Sequence, residues 1–76
     1  MNKERFDKII MDVFEVESVD ETMTRENTGK WDSLLHLTLV TAIEDEFDIM
    51  LDTEDILSLD SYASGLEIVA KYCAEE

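Results

Sequence analysis

The sequence predicts an all-α fold, a small four-helix bundle of three longer helices and one short helix, with a long loop between the first and the second. Three observations predict it. Apolar residues recur every three or four positions in three stretches, the period of a helix that buries one face. No stretch alternates apolar and polar residues as a half-buried strand does, and the chain has no proline, repeat or low-complexity segment. With 76 residues, 45% of them hydrophobic, there is room for one small core, so residues 1–76 are expected to form a single domain.

The first helix is predicted from about Lys3 to Glu15, where Phe6, Ile9, Ile10, Val13 and Phe14 form one apolar face and Asn2 can serve as cap. Residues 16–30 lose this period and collect Ser, Asp, Thr, Asn and Gly, which reads as a connecting loop. A loop of that length needs anchors in so compact a domain, and Val19 and Met23 are expected to pin it to the core. The second helix runs from Ser33 to Phe47. A rotation of about 100° per residue puts Leu39, Val40, Ile43 and Phe47 on its inner face, and Leu34, Thr38, Thr41 and Asp45 opposite. The Ile56-Leu57 pair predicts a short helix from about Glu54 to Ser58, capped by a polar side chain from Asp52 or Thr53. The last helix is predicted from Tyr62 to about Ala74, with Ser61 as cap and Tyr62, Leu66, Val69 and Cys73 inward. Gly65 costs that helix about 1 kcal/mol relative to Ala, so close packing is expected there.

Twenty acids stand against six Lys and Arg, a formal net charge of −14. A field of that sign repels phosphate backbones and anionic lipid headgroups, so no nucleic acid and no membrane surface is expected as partner. Basic protein surfaces are. No apolar run approaches the roughly 18 to 20 residues of a membrane span, and the polar start Met1-Asn2-Lys3-Glu4-Arg5 lacks the apolar centre of a secretory signal. A cytoplasmic monomer is expected. The single Cys73 reads as a packing residue.

All six basic residues lie outside Trp31 to Ala70, a stretch with ten acids. Seven of these, Glu44, Asp45, Glu46, Asp48, Asp52, Glu54 and Asp55, crowd the end of the second helix and the start of the short one. Acids at a helix C-terminus oppose its dipole, so stability alone does not account for the cluster. Concentrated charge of one sign raises encounter rates with a basic partner by about 10- to 10³-fold. No dedicated calcium loop is expected, since no glycine sits where its sharp turn would need one.

The run Trp31-Asp32-Ser33-Leu34-Leu35 puts a hydroxyl at the start of the second helix. Asp32 is placed to cap that helix through a backbone N–H near Leu34 or Leu35, which makes Ser33 the first helical residue. Leu34 and Leu37 form apolar contacts for a partner, and Thr38, Thr41, Glu44 and Asp45 continue that surface towards the acids Asp52, Glu54 and Asp55. Ser33 and His36, three residues apart, also raise nucleophilic catalysis. A serine nucleophile needs a base in hydrogen-bond reach, an orienting partner and an oxyanion site, in a pocket of roughly 300 Å³ or more. His36 falls on the side of Val40 and Ile43 and reads as a histidine at the core edge, so no enzyme is expected.

Asp32-Ser33-Leu34, followed at the same spacing by Ala42-Ile43-Glu44-Asp45-Glu46-Phe47-Asp48-Ile49, resembles the attachment region of the acyl carrier protein family, and the likeness in length, helix order and acidity covers nearly the whole chain. The resemblance implies a 4'-phosphopantetheine arm on Ser33, transferred from coenzyme A by a phosphopantetheinyl transferase and carrying acyl groups as thioesters. A phosphodiester at a helix N-terminus suits the backbone N–H groups and dipole there. It further implies acyl-loading, condensing and transferase enzymes with basic surfaces as partners. Gly29-Lys30-Trp31 stands where housekeeping fatty-acid carriers have a small pair before Asp-Ser-Leu. That departure resembles discrete carriers of polyketide, lipid or surface-polysaccharide assembly. An aminoacyl or peptidyl carrier and a D-alanyl carrier are the neighbouring readings. An acidic helical docking domain, never modified, is the alternative from another class.

Overall fold

The computed structural model describes residues 2–73, with side chains from Lys3 onward. Four helices follow one another: α1 (Asn2–Phe14), α2 (Ser33–Phe47), α3 (Thr53–Ser58) and α4 (Tyr62–Tyr72). Among the described residues there is no strand, only an isolated antiparallel bridge between Thr24 and Ser61. The cap expected of the Asn2 side chain and the helical end at Ala74 lie outside the described residues. No described helix is long and apolar enough to cross a membrane.

One continuous core joins all four helices. Phe6, Ile10, Leu39, Ile43, Leu59 and Val69 are its fully buried centre, drawn from α1, α2, the α3–α4 turn and α4. A Cα radius of gyration of 11.3 Å is that of a compact chain of this length, for which about 11 Å is usual. The inner face of α2 is the predicted one, Leu39, Val40, Ile43 and Phe47, and His36, expected at its edge, is buried with them.

Both long leading helices end in the same way. Glu15 and Asp48 take left-handed backbone, φ 56° and 54°, where glycine is the usual residue. Val16 N–H then returns to Met11 O, and Ile49 N–H to Glu44 O, each at 3.1 Å. The Lys30 ammonium adds a bond to Phe14 O at 2.9 Å. Lacking a basic residue in its own last turn, α2 receives a cation from α1. Arg5 Nε donates to Glu46 Oε2 at 2.8 Å, its Nη2 donates to the Glu46 carbonyl, and its guanidinium lies 4.7 Å from the Phe47 ring centre. The acid-rich helix end is thus partly neutralised across the bundle.

The loop over residues 15–32 is fastened where its apolar residues predict. Met23 is buried and Val19 packs half-buried against the core. Arg25 N–H donates to Asp60 O at 2.7 Å and Tyr62 N–H to Met23 O at 3.1 Å, which stitches the loop to the α3–α4 turn. At that turn Ser61 caps α4 by accepting from Ser64 N–H, and Ser64 returns the bond to the Ser61 backbone.

The short helix corrects one expectation. It starts at Thr53, and Asp52 holds the cap position, but no cap hydrogen bond comes from its side chain. Six residues cannot sustain a helix alone, and α3 is held by tertiary contacts instead: Ile56 packs half-buried on the core and Asp55 is buried.

Candidate functional site

Ser33 is the first residue of α2 and is exposed. Asp32 beside it has extended backbone, φ −95° and ψ −175°, and its Oδ1 accepts from Leu35 N–H at 2.8 Å. The cap therefore belongs to Asp32, and among the described residues no hydrogen bond engages the Ser33 hydroxyl. A shallow groove of about 310 Å³ runs beside it, between the end of α1 and the start of α2. Asp32, Leu34, Val13 and Phe14 line it, together with the Lys30 that caps α1.

The outward face of α2 continues from the serine. Leu34 is 75% and Leu37 60% exposed, which is high for leucine in a chain with so much core to fill. Thr38, Thr41 and Asp45 are exposed on the same face and share a shallow depression with Leu37. Thr38 Oγ1 donates back to Leu34 O at 3.0 Å, so its hydroxyl is turned along the helix. Asp52 and Glu54 are exposed at the start of α3, and Leu57 projects from that helix with 78% exposure.

Two of the acids expected on the open surface sit elsewhere. Glu44 is half-buried, and its Oε2 accepts from Leu51 N–H at 2.9 Å, closing the turn after α2. Asp55, its side chain only 12% exposed, receives the Lys71 ammonium at 2.7 and 2.8 Å and the Tyr72 hydroxyl at 2.6 Å. Tyr72 Oη in turn accepts from Asp52 N–H at 3.0 Å. The Lys71 ammonium, then the Tyr72 hydroxyl, hold the Asp55 carboxyl below the usual carboxylate range against the opposing effect of burial, and the same carboxylate raises Lys71 and Tyr72. The exposed acids of the cluster are Asp45, Glu46, Asp48, Asp52 and Glu54, of which Glu46 is paired with Arg5. Among the described residues, no three His, Cys, Asp or Glu are grouped to hold a metal ion.

His36 is buried at the inner side of the same helix turn. Its Nδ1 lies 2.9 Å from Trp31 Nε1, and its Nε2 lies 2.9 Å from Ile56 O. An indole nitrogen can only donate, so Nδ1 accepts, the proton is on Nε2, and Nε2 donates to Ile56 O. Trp31, 5% exposed, packs edge-on against Phe14 with ring centres 5.3 Å apart and closes the core at the loop end. Both histidine nitrogens are thereby engaged within the fold, leaving neither to serve Ser33 as a base.

Comparison with protein-family models, with curated proteins and with solved structures finds no match to this chain. The site must therefore be read from its own geometry. That geometry offers an open hydroxyl at the start of α2, a shallow groove, and a surface of exposed leucines bordered by acids. Sequence reasoning did not find the roles of Arg5, Lys71 and Leu57. The partners of Arg5 and Lys71 lie far from them in the chain, and the Ile56-Leu57 pair predicted the short helix without saying which of the two would face out.

Proposed function

We propose that this chain is a discrete acyl carrier protein whose loading site is Ser33. The observation that carries the reading is the Ser33 hydroxyl itself, exposed at the first position of α2 with the capping task taken by Asp32. A residue so placed can be modified without loss of any contact within the fold. A phosphodiester on Ser33 fits that position, because the N-terminal turn of α2 favours negative charge while the Asp32 carboxylate beside it turns the group outward to solvent.

The 4'-phosphopantetheine arm, once attached, supplies a terminal thiol that holds acyl groups as thioesters. The chain's own residues supply position and recognition. Leu34 and Leu37 give a partner an apolar contact next to the attachment point, Thr38 and Thr41 extend it, and Asp45, Asp52 and Glu54 border it with charge suited to a basic enzyme surface. The partners are a phosphopantetheinyl transferase and the loading, condensing and transferase enzymes of a biosynthetic pathway for fatty acids, polyketides or related lipids.

The test is the intact mass of purified parent and Ser33→Ala after incubation with coenzyme A and a broad-specificity phosphopantetheinyl transferase. The substitution leaves the Asp32 cap and the core face untouched, so the variant folds as the parent does. Gain of one phosphopantetheinyl group by the parent alone is the expected result. Loading of the variant would move the site, and loading of neither would leave an unmodified docking domain for a basic partner as the reading.

A further inference from the structure

We infer that His36 is a positioning residue for loading, one that, oriented by its bond from Trp31, holds α3 in a fixed arrangement beside Ser33. The inference rests on Ser33 as the loading site. His36 stands three residues after the serine, roughly 4.5 Å along the helix axis, less than one turn. Trp31 stands two residues before it. One imidazole therefore ties together the segment that leads into Ser33, the helix that starts with it, and the α3 backbone at Ile56, next to the exposed Leu57.

The tie is directional. Trp31 N–H requires an acceptor and Ile56 O requires a donor, and only the Nε2–H tautomer of His36 offers both. Of the segments around the serine, α3 most needs such a tie, because six residues do not hold a helical conformation unaided. The Asp55 side chain is fixed to α4 through Lys71 and Tyr72, whereas the carbonyl of the next residue, Ile56, is fixed to α2 by His36. Where Leu57 and Glu54 stand relative to Leu34 and Ser33 is thus set in part by one hydrogen bond. A partner enzyme that contacts both helices meets that arrangement ready-made, and without it must bear the cost of ordering α3 on binding.

In the loading step the Ser33 oxygen forms a bond to the pantetheine-side phosphorus of coenzyme A. The pyrophosphate P–O bond breaks, adenosine 3',5'-bisphosphate leaves with the electron pair, and the hydroxyl proton passes to a base of the transferase. His36, occupied at both nitrogens, takes no part in these bond changes. Its effect belongs in the affinity of the transferase for the carrier.

Two substitutions separate the ties. In His36→Asn a carbonyl near the Nδ1 position keeps the acceptor for Trp31 and the donor to Ile56 is lost. In His36→Gln an amide near the Nε2 position keeps the donor to Ile56 and the acceptor for Trp31 is lost. Loading kinetics are measured for parent and both variants at a temperature where circular dichroism finds all three folded, and each variant's melting temperature is recorded. The expected result is a KM for the carrier raised about three- to tenfold in His36→Asn, the share one net hydrogen bond supplies, with the parent KM retained in His36→Gln and kcat unchanged in both. A KM that follows melting temperature in both variants, or that does not change in either, would overturn the positioning role. A parent that is not loaded at all overturns the Ser33 reading along with it, so the two failures are distinguishable.

Discussion

At Gly65 the missing side chain is a packing requirement. A Cβ built there would lie 2.6 Å from Phe6 Cζ and 3.1 Å from Leu59 Cδ1. Phe6 is fully buried and tilted against Tyr62 with ring centres 5.4 Å apart, so its ring has no open space to move into. Ala at this helical position is worth about 1 kcal/mol in propensity, but overpacking a fixed core costs about 1–3 kcal/mol. Gly65→Ala is therefore expected to lower stability by about 1 kcal/mol, about 5 °C in a domain of this size, and Phe6→Leu in the same chain to recover part of it. Thermal unfolding by circular dichroism decides, and a raised melting temperature would show that the ring yields. The close approach at Gly65 was legible in the sequence because a glycine inside a periodic helix needs a reason. So were the Asp32 cap, the open face of Leu34 and the burial of His36, all consequences of local spacing. What His36, Asp55 and Arg5 bind was not legible, since Lys71 lies 16 residues from Asp55 and Glu46 lies 41 from Arg5, and helical period carries no information at that range.

Among the elements, α3 shows how a segment without intrinsic stability is held. It begins at Thr53, one residue before the predicted start, because α4 fixes that end through the bond from Asp52 N–H to Tyr72 Oη, while the Asp52 side chain makes no cap bond. Asp55 is the centre of that fixation. Its carboxyl is held below the usual range in the folded chain by Lys71 and then Tyr72, so folding favours the deprotonated form. Such a group contributes fully above its unfolded value, near 3.9, and its contribution is lost as pH falls through the depressed folded value. Asp55→Asn is expected to destabilise the chain at neutral pH, and the gap between variant and parent to close below about pH 4. Urea unfolding of both from pH 7 to pH 3 measures that gap. A gap independent of pH would assign the effect to packing and not to the charge of Asp55. The same balance operates between α1 and α4, where burial pushes Asp7 up but Tyr62 and Lys3 together hold it below the usual range.

For the whole molecule, the net charge opposes folding, and on the proposed carrier reading the same charge speeds partner encounter. A net charge of −14 is spread over a body of 34 × 25 × 19 Å. At 0.01 M salt the screening length is about 30 Å, so acids interact across the entire molecule, and at 0.1 M it is about 10 Å, so only neighbours do. Ion pairs such as Arg5–Glu46 and Lys71–Asp55 offset a few of the acids, and the open ones at Asp45, Asp48 and Glu54 remain against the field. Raising sodium chloride from 10 to 200 mM is expected to raise the melting temperature by about 5 °C or more, about 1 kcal/mol in a domain of this size. Choline chloride at equal ionic strength should do the same, because screening does not depend on which cation is present, and a shift seen with sodium alone would point to ion binding. Asp45 is exposed on the outward face of α2, so Asp45→Lys reduces the net negative charge at a position that is not part of the buried core. It is expected to raise the melting temperature at low salt while slowing loading of Ser33 there, with both differences fading by 200 mM. Faster or unchanged loading in that variant at low salt would remove electrostatic steering from the reading. Stabilisation coupled to slower loading would explain why so small a chain keeps a charge that works against its own fold.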